Sequence, residues 1–156
     1  MITIRKAKLR DYSTLMELEI SSEQQPFVSM FGELYKNRLP EYEFYVVNEG
    51  KELLGFFILD TAFSKKYTFA EKNELGLRNF VIGKQYQGKG YGTLAMQRIL
   101  IYAYGAYADS RSICLTVNKK NLAAYRCYEK AGFIDTGVLY FGGDAGPQHI
   151  MRKQIG

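Results

Sequence analysis

The chain has 156 residues, 47% apolar and 24% charged, which fits one ordinary globular domain with enough length to bury a core. No apolar run approaches the ~20 residues of a membrane span, and the N-terminal MITIRKAKLRDY lacks a secretory core, so a cytoplasmic protein without membrane association is expected. The net charge of +5 divides unevenly: residues 1–60 hold 7 Lys+Arg against 10 Asp+Glu (−3), residues 61–156 hold 14 against 6 (+8), yet no basic–aromatic stacking platform appears, which argues against nucleic acid.

Ile2 and Ile4 alternate with Thr3 and Arg5, so the chain opens with a strand. Asp11 can cap a helix running to about Ser22, with Leu15 and Leu18 at helical spacing. A second helix is expected over Val28–Arg38, ended by Pro40. Phe44–Val47 and Leu53–Leu59 flank the polar turn Asn48–Lys51 and predict an antiparallel hairpin. Ser64–Asn73 is polar and charged, a loop. Leu77–Ile82 reads as a buried strand, followed by the glycine-rich run Gln87–Gly92 and a helix over Thr93–Tyr104. Ile113–Val117 is a further strand, and Asn121–Ala131 a further helix closed by Gly132. Phe133–Phe141 and His149–Lys153 give two last strands around a loop with Gly142, Gly143, Gly146 and Pro147. The order β-α-α-β-β-β-α-β-α-β-β describes one mixed α/β domain over residues 1–156.

The run Gln87-Gly88-Lys89-Gly90-Tyr91-Gly92 carries the chemistry. A glycine turn feeding a helix start presents unpaired N–H groups at the positive end of the helix dipole, a place suited to phosphate or pyrophosphate. Three patterns compete. The nucleotide-hydrolase loop would need Ser or Thr after Gly88-Lys89, where Gly90 stands. The dinucleotide pattern needs a third glycine where Thr93 stands, and it usually opens its fold rather than following three strands. The third, Gln/Arg-x-x-Gly-x-Gly/Ala, is satisfied by Gln87, Gly90 and Gly92.

A second block, Asn121-Leu-Ala-Ala124-Tyr-Arg-Cys-Tyr128-Glu-Lys-Ala-Gly132-Phe133, follows about 30 residues later. Asn121, Ala124 and Tyr128 are spaced i, i+3, i+7 and share one helix face, with small Ala124 letting a ligand pass beside the Tyr128 phenol. With both motifs in this order, the chain resembles the GNAT superfamily of acetyl-CoA-dependent N-acetyltransferases over its whole length. The resemblance implies a mostly antiparallel, twisted sheet of about seven strands, with helices on both faces and a split near the glycine-rich strand that admits CoA.

It also implies acetyl-CoA as cosubstrate, no metal, and direct attack of an amine on the thioester in a ternary complex. Backbone from Gly88 to Thr93, through Lys89, Gly90, Tyr91 and Gly92, would hold the pyrophosphate, with Gln87 and Lys89 at the rim. The stretch Phe80-Val81-Ile82 would pair with the pantetheine amides and polarise the carbonyl; Asn121 and Ala124 would line the cofactor. Tyr128 is the implied general acid, since a phenol at ~10 lies near a thiol at ~8.5. Glu74, at the start of the strand and on the face of Phe80 and Ile82 if alternation is unbroken, is the expected base, with water as the alternative.

For the acceptor, Glu23-Gln24-Gln25-Pro26-Phe27-Val28 and Thr136-Gly137 look similar to segments of bacterial polyamine acetyltransferases, which points to Glu23 and Phe27. An acidic N-terminal half with Glu17, Glu19, Glu23, Glu33, Glu41 and Glu43 agrees with a polycation. Another small primary amine, peptide N-terminal acetylation and a non-enzymatic acyl-CoA-binding module stay open. Cys114 and Cys127 read as free thiols and His149 as a strand-end residue. An exposed sheet edge would allow a homodimer.

Overall fold

The structure is a computed structural model that describes residues 1–155. Eleven elements follow one another: β1 (Ile2–Lys6), α1 (Tyr12–Glu17), α2 (Phe31–Lys36), β2 (Tyr42–Glu49), β3 (Glu52–Asp60), β4 (Leu75–Ile82), α3 (Tyr91–Ala106), β5 (Ser112–Asn118), α4 (Leu122–Lys130), β6 (Ile134–Tyr140) and β7 (Gln148–Gln154). The strands form one sheet in the order β1-β2-β3-β4-β5-β7-β6. Every pairing is antiparallel except β4–β5.

That parallel pair is short. Only Leu75 with Ile113 and Gly76 with Cys114 are in register, so from Leu77 onward β4 and β5 part. On its other edge β4 keeps its antiparallel partner, β3, but with a fault. Val81 opposes Phe56 and Arg78 opposes Ile58, so Asn79 and Phe80 together face Phe57. This is a β-bulge, and Asn79 takes up the irregularity at φ 50°.

Two apolar layers cover the sheet. On one face, Met96, Ile99 and Ala103 of α3 meet Leu77, Leu115 and Met151. On the other, Leu15 and Phe31 from α1 and α2 meet Val46, Phe56 and Val81. Burying each such side chain contributes about 1.5–3 kcal/mol. Phe31 is 2% exposed, lies edge-on to Phe56 and stacks on Tyr35. Its truncation to Ala is expected to cost about 3–5 kcal/mol.

The first two helices are shorter than the sequence suggests. Asp11 does not cap: its carboxylate accepts from Arg5 at 2.7 and 2.8 Å and from the Lys8 N–H at 2.7 Å, tying the helix start to β1. α1 ends at Glu17 because Leu18 turns extended and the Glu19 carbonyl accepts from the Lys84 N–H at 2.8 Å. That bond fixes the chain across the β4–α3 connection and buries Ile20, leaving a turn-rich strap over residues 21–28. α2 starts at Phe31 rather than Val28. The other elements differ from expectation by one or two residues at an end, where helices and strands fray.

Candidate active site

Two clefts meet at Tyr128. The first, about 250 Å³, lies between the end of β4 (Phe80, Val81, Ile82), the glycine turn and α4 (Ala124, Cys127, Tyr128). The second, about 430 Å³, occupies the wedge where β4 and β5 part, between Leu77–Phe80 and Thr116–Asn118. Gln24, Val28, Phe80, Ala124 and Tyr128 line both.

The glycine turn has a shape and polarity that suit an anion. Gly88 and Gly90 sit at φ 77° and 81°, a left-handed shape that favours glycine. A Cβ on either would meet nothing within 4 Å, so the space over the turn is open. Gly90 caps α3, and its carbonyl accepts the Leu94 N–H at 3.3 Å. The N–H groups of Tyr91, Gly92 and Thr93 therefore belong to the unpaired first turn of a 16-residue helix. At Gly92 a Cβ would stand 3.2 Å from the Cys127 sulfur, so its absence lets α3 approach α4 and aims the turn at Tyr128.

Neighbouring side chains hold the turn in place. Gln87 donates from Nε2 to the Ile82 carbonyl at 2.9 Å, so its amide anchors the turn to β4 instead of waiting at the rim. Tyr86 donates to Glu52 at 2.7 Å and Tyr91 to Glu49 at 3.1 Å, fastening it to the β2–β3 hairpin tip. Lys89 is exposed and lines neither cleft, as does the half-buried Thr93.

Tyr128 is 8% exposed, packs its ring near Phe80 and Phe133, and lines both clefts. Burial, with a smaller contribution from Cys127, pushes its phenol well above the ordinary range. The close match to a thiol expected from the sequence is thus lost, and the group stays a protonated donor throughout the neutral range. Cys127 shares the first cleft, but burial raises its thiol too, only partly offset by Thr93 and Lys130. A protonated thiol is a poor nucleophile. His149 lines neither cleft; its Nδ1 is 3.3 Å from Asp135 and its ring lies against Tyr125.

Glu74 is not where the alternation argument puts it. The bulge at Asn79–Phe80 shifts the parity of β4, so Phe80 and Ile82 pack with Leu75 and Leu77, on the face opposite that of Glu74. Glu74 is fully buried and lines neither cleft. Arg152 grips it at 2.5 and 3.0 Å, Ser112 donates at 2.6 Å and the Glu71 N–H at 3.0 Å. Burial would raise its carboxyl, but Arg152, Ser112 and that N–H outweigh it and hold the group below its ordinary value. Fully paired and lining neither cleft, Glu74 has the setting of a structural residue rather than of a base.

Of the acceptor residues expected, Phe27 lines the second cleft, whereas Glu23 is exposed and lines neither. Its neighbour Gln24 is the one that points in. Gln24 and Asn121 exchange amide hydrogen bonds at 2.9 and 3.3 Å, clasping the strap over residues 21–28 to the start of α4. Asn121 also caps α4, accepting from the Ala124 N–H, and lines the second cleft. Arg78, Gln24 and Tyr86 were not singled out from sequence. Their partners lie at Asp60, Asn121 and Glu52, too far along the chain to suggest a shared site.

Among the described residues no cluster of three His, Cys, Asp or Glu side chains is arranged for a metal ion, and no helix is long and apolar enough to cross a membrane.

Comparison with known proteins agrees with this geometry. Residues 7–133 match the acetyltransferase (GNAT) family. A probable spermine N(1)-acetyltransferase of Bacillus subtilis subsp. natto (strain BEST195) is 32% identical over 90 residues, 56% of each chain. A spermine/spermidine N(1)-acetyltransferase of Bacillus subtilis (strain 168) is 31% identical over the same length. The match thus spans about half the length of these curated relatives. Among solved structures, an aminoglycoside acetyltransferase with coenzyme A and kanamycin superposes with TM-score 0.78 at 21% identity, covering 99% of this chain and 95% of that one. A spermidine N-acetyltransferase from Vibrio cholerae with CoA and spermine gives TM-score 0.71 at 21% identity, covering 98% and 95%. At such identities these two structures speak for the fold. The chain belongs to the acetyltransferase (GNAT) family, and its sheet and split are those of the GNAT fold.

Proposed function

We propose that this member of the acetyltransferase (GNAT) family is a single-domain enzyme that moves an acetyl group from acetyl-CoA to a primary amine of a small molecule. The observation that carries the reading is the meeting of two clefts at Tyr128, one walled by the glycine turn and the other by the β4–β5 wedge. Such an arrangement suits two substrates that react where they touch.

The residues present fit acetyl-CoA. The open space over Gly88 and Gly90 and the unpaired N–H groups at the α3 N-terminus suit a pyrophosphate. From Leu77 onward the β5-facing edge of β4 has no strand partner, so its peptide groups are available to the amides of a pantetheine arm. Acetyl-CoA would supply an activated thioester whose transfer to nitrogen leaves a free thiol. The bulged segment at Asn79–Phe80 breaks the strand's ladder beside the cleft, and a peptide N–H freed there would be a means of holding negative charge on a carbonyl oxygen. Tyr128 serves as hydrogen-bond donor to the leaving sulfur; with its phenol raised by burial, full proton transfer comes late or through water.

Among the described residues the one carboxylate lining either cleft is Asp144, exposed on the β6–β7 loop, so water is the simplest acceptor of the amine's proton. The curated relatives' names make spermine and spermidine candidate acceptors. The test is an amine panel with acetyl-CoA and free-thiol detection, including spermidine, spermine, aminoglycosides and short peptides. Amine-dependent thiol release is expected; acetyl-CoA binding with no release on any amine would favour an acyl-CoA-binding module instead.

A further inference from the structure

The second cleft contains one arginine and one carboxylate, and they are placed differently. Arg78 projects from β4 beside the bulge, with 24% of its side chain exposed, and lines the wedge. Nε donates to Asp60 at 3.0 Å and Nη2 to the Tyr67 hydroxyl at 2.9 Å. Among the described residues Nη1 has no hydrogen-bond partner. Asp60 is shared with Lys66 at 2.9 Å, Lys66 also pairs with Glu41 at 3.2 Å, and the rings of Tyr42, Phe63 and Tyr67 each lie 5.6 Å from the guanidinium carbon, so the cluster of two acids and two bases is balanced by itself. Asp144, the one acid lining the cleft, lies exposed on the glycine-rich β6–β7 loop at the mouth.

A polycation threading this cleft would pass a guanidinium with one unpartnered nitrogen and meet a single carboxylate, at the rim. The remaining polar lining, with Gln24, Asn79, Thr116, Asn118 and Gln148, is neutral. On the reading that this is the acceptor cleft, we infer that Arg78 receives a carboxylate of the acceptor, which is therefore an amino-acid-like amine rather than a polyamine. The unpartnered Nη1 can donate charge-assisted hydrogen bonds to a carboxylate. Asp144 at the mouth disfavours acceptors with surplus negative charge and so selects a zwitterion over a polyanion.

Lysine and cadaverine test this directly, because they share an aminopentyl chain and differ by the carboxylate. With acetyl-CoA and thiol detection, kcat/KM for lysine is expected to exceed that for cadaverine by about tenfold or more, the scale of one charge-assisted pair. In Arg78→Gln the lysine-to-cadaverine ratio should fall toward one through a higher KM for lysine, and Arg78→Lys should keep part of the preference. An unchanged Kd for acetyl-CoA confirms that each variant is folded; should Arg78→Gln fail to fold, the wild-type ratio decides alone. Cadaverine equal to or better than lysine overturns the inference, and so does turnover of neither by a protein that binds acetyl-CoA. A protein that does not bind acetyl-CoA overturns the acetyltransferase reading beneath it.

Discussion

Replacing Glu74 by Gln is expected to cost stability and leave the chemical step intact. The carboxylate is 0% exposed and is held by Arg152, Ser112 and the Glu71 N–H, while the Arg152 side chain remains 17% exposed. Breaking a buried ion pair by removing one charge typically costs about 3–5 kcal/mol; Arg152's partial access to water puts this case near the lower end, about 3 kcal/mol. At ~2.1 cal/mol/K of unfolding entropy per residue, a chain of 156 residues loses about 9 °C in Tm for that penalty. The pH dependence follows from the lowered carboxyl. Its stabilisation is present above the unfolded-state value and is lost as pH falls through the folded-state value, so wild type should weaken in acid. Glu74→Gln should show a flatter acid limb. Urea unfolding at pH 7 and below, with kcat measured on folded protein, checks both parts. A Gln variant of wild-type stability whose kcat falls a hundredfold, with a lost basic limb in the pH–rate profile, would refute the structural role and restore Glu74 as the base.

Tyr128→Phe should lower kcat by about 10²-fold or more, the usual scale for a proton donor, while acetyl-CoA affinity by calorimetry changes much less; equal losses in both would argue against the donor role. Cys127 should react with a maleimide faster as pH rises and be shielded by CoA, because its thiol is raised and it lines the first cleft. Cys114, fully buried with its thiol pushed up to about 12, should stay unlabelled in the native protein by mass spectrometry. Gly90→Ala places a side chain at φ 81°, and about 1–2 kcal/mol of stability should be lost through backbone strain alone, together with weaker acetyl-CoA binding.

What could be read from the sequence was local. The glycine turn and the α4 face are contiguous stretches whose geometry follows from helix periodicity and glycine's left-handed freedom, so Gly88, Gly90, Ala124 and Tyr128 stand out in the sequence, and in the structure they line one cleft. Strand and helix order was equally plain because apolar periodicity switched at each boundary. Whatever depended on distant pairing was not legible. Which face Glu74 occupies depends on the bulge, where two residues of β4 oppose Phe57 of β3. The length of α1 depends on a hydrogen bond from Lys84, far along the chain. Arg78 gains its setting only when Asp60, Tyr67 and the β4–β5 wedge surround it. The acidic N-terminal half suggested a polycation, but Glu41 and Glu43 pair with Lys66 and Lys6, and Glu23 lines neither cleft.

Amide hydrogen exchange with and without saturating acetyl-CoA tests the central claim most directly. Protection is expected over Phe80–Ile82, Gln87–Thr93 and Asn121–Tyr128, with little change along the outer strand β6. Protection confined to other segments, or no change despite saturation, would contradict an acetyl-CoA site at the glycine turn.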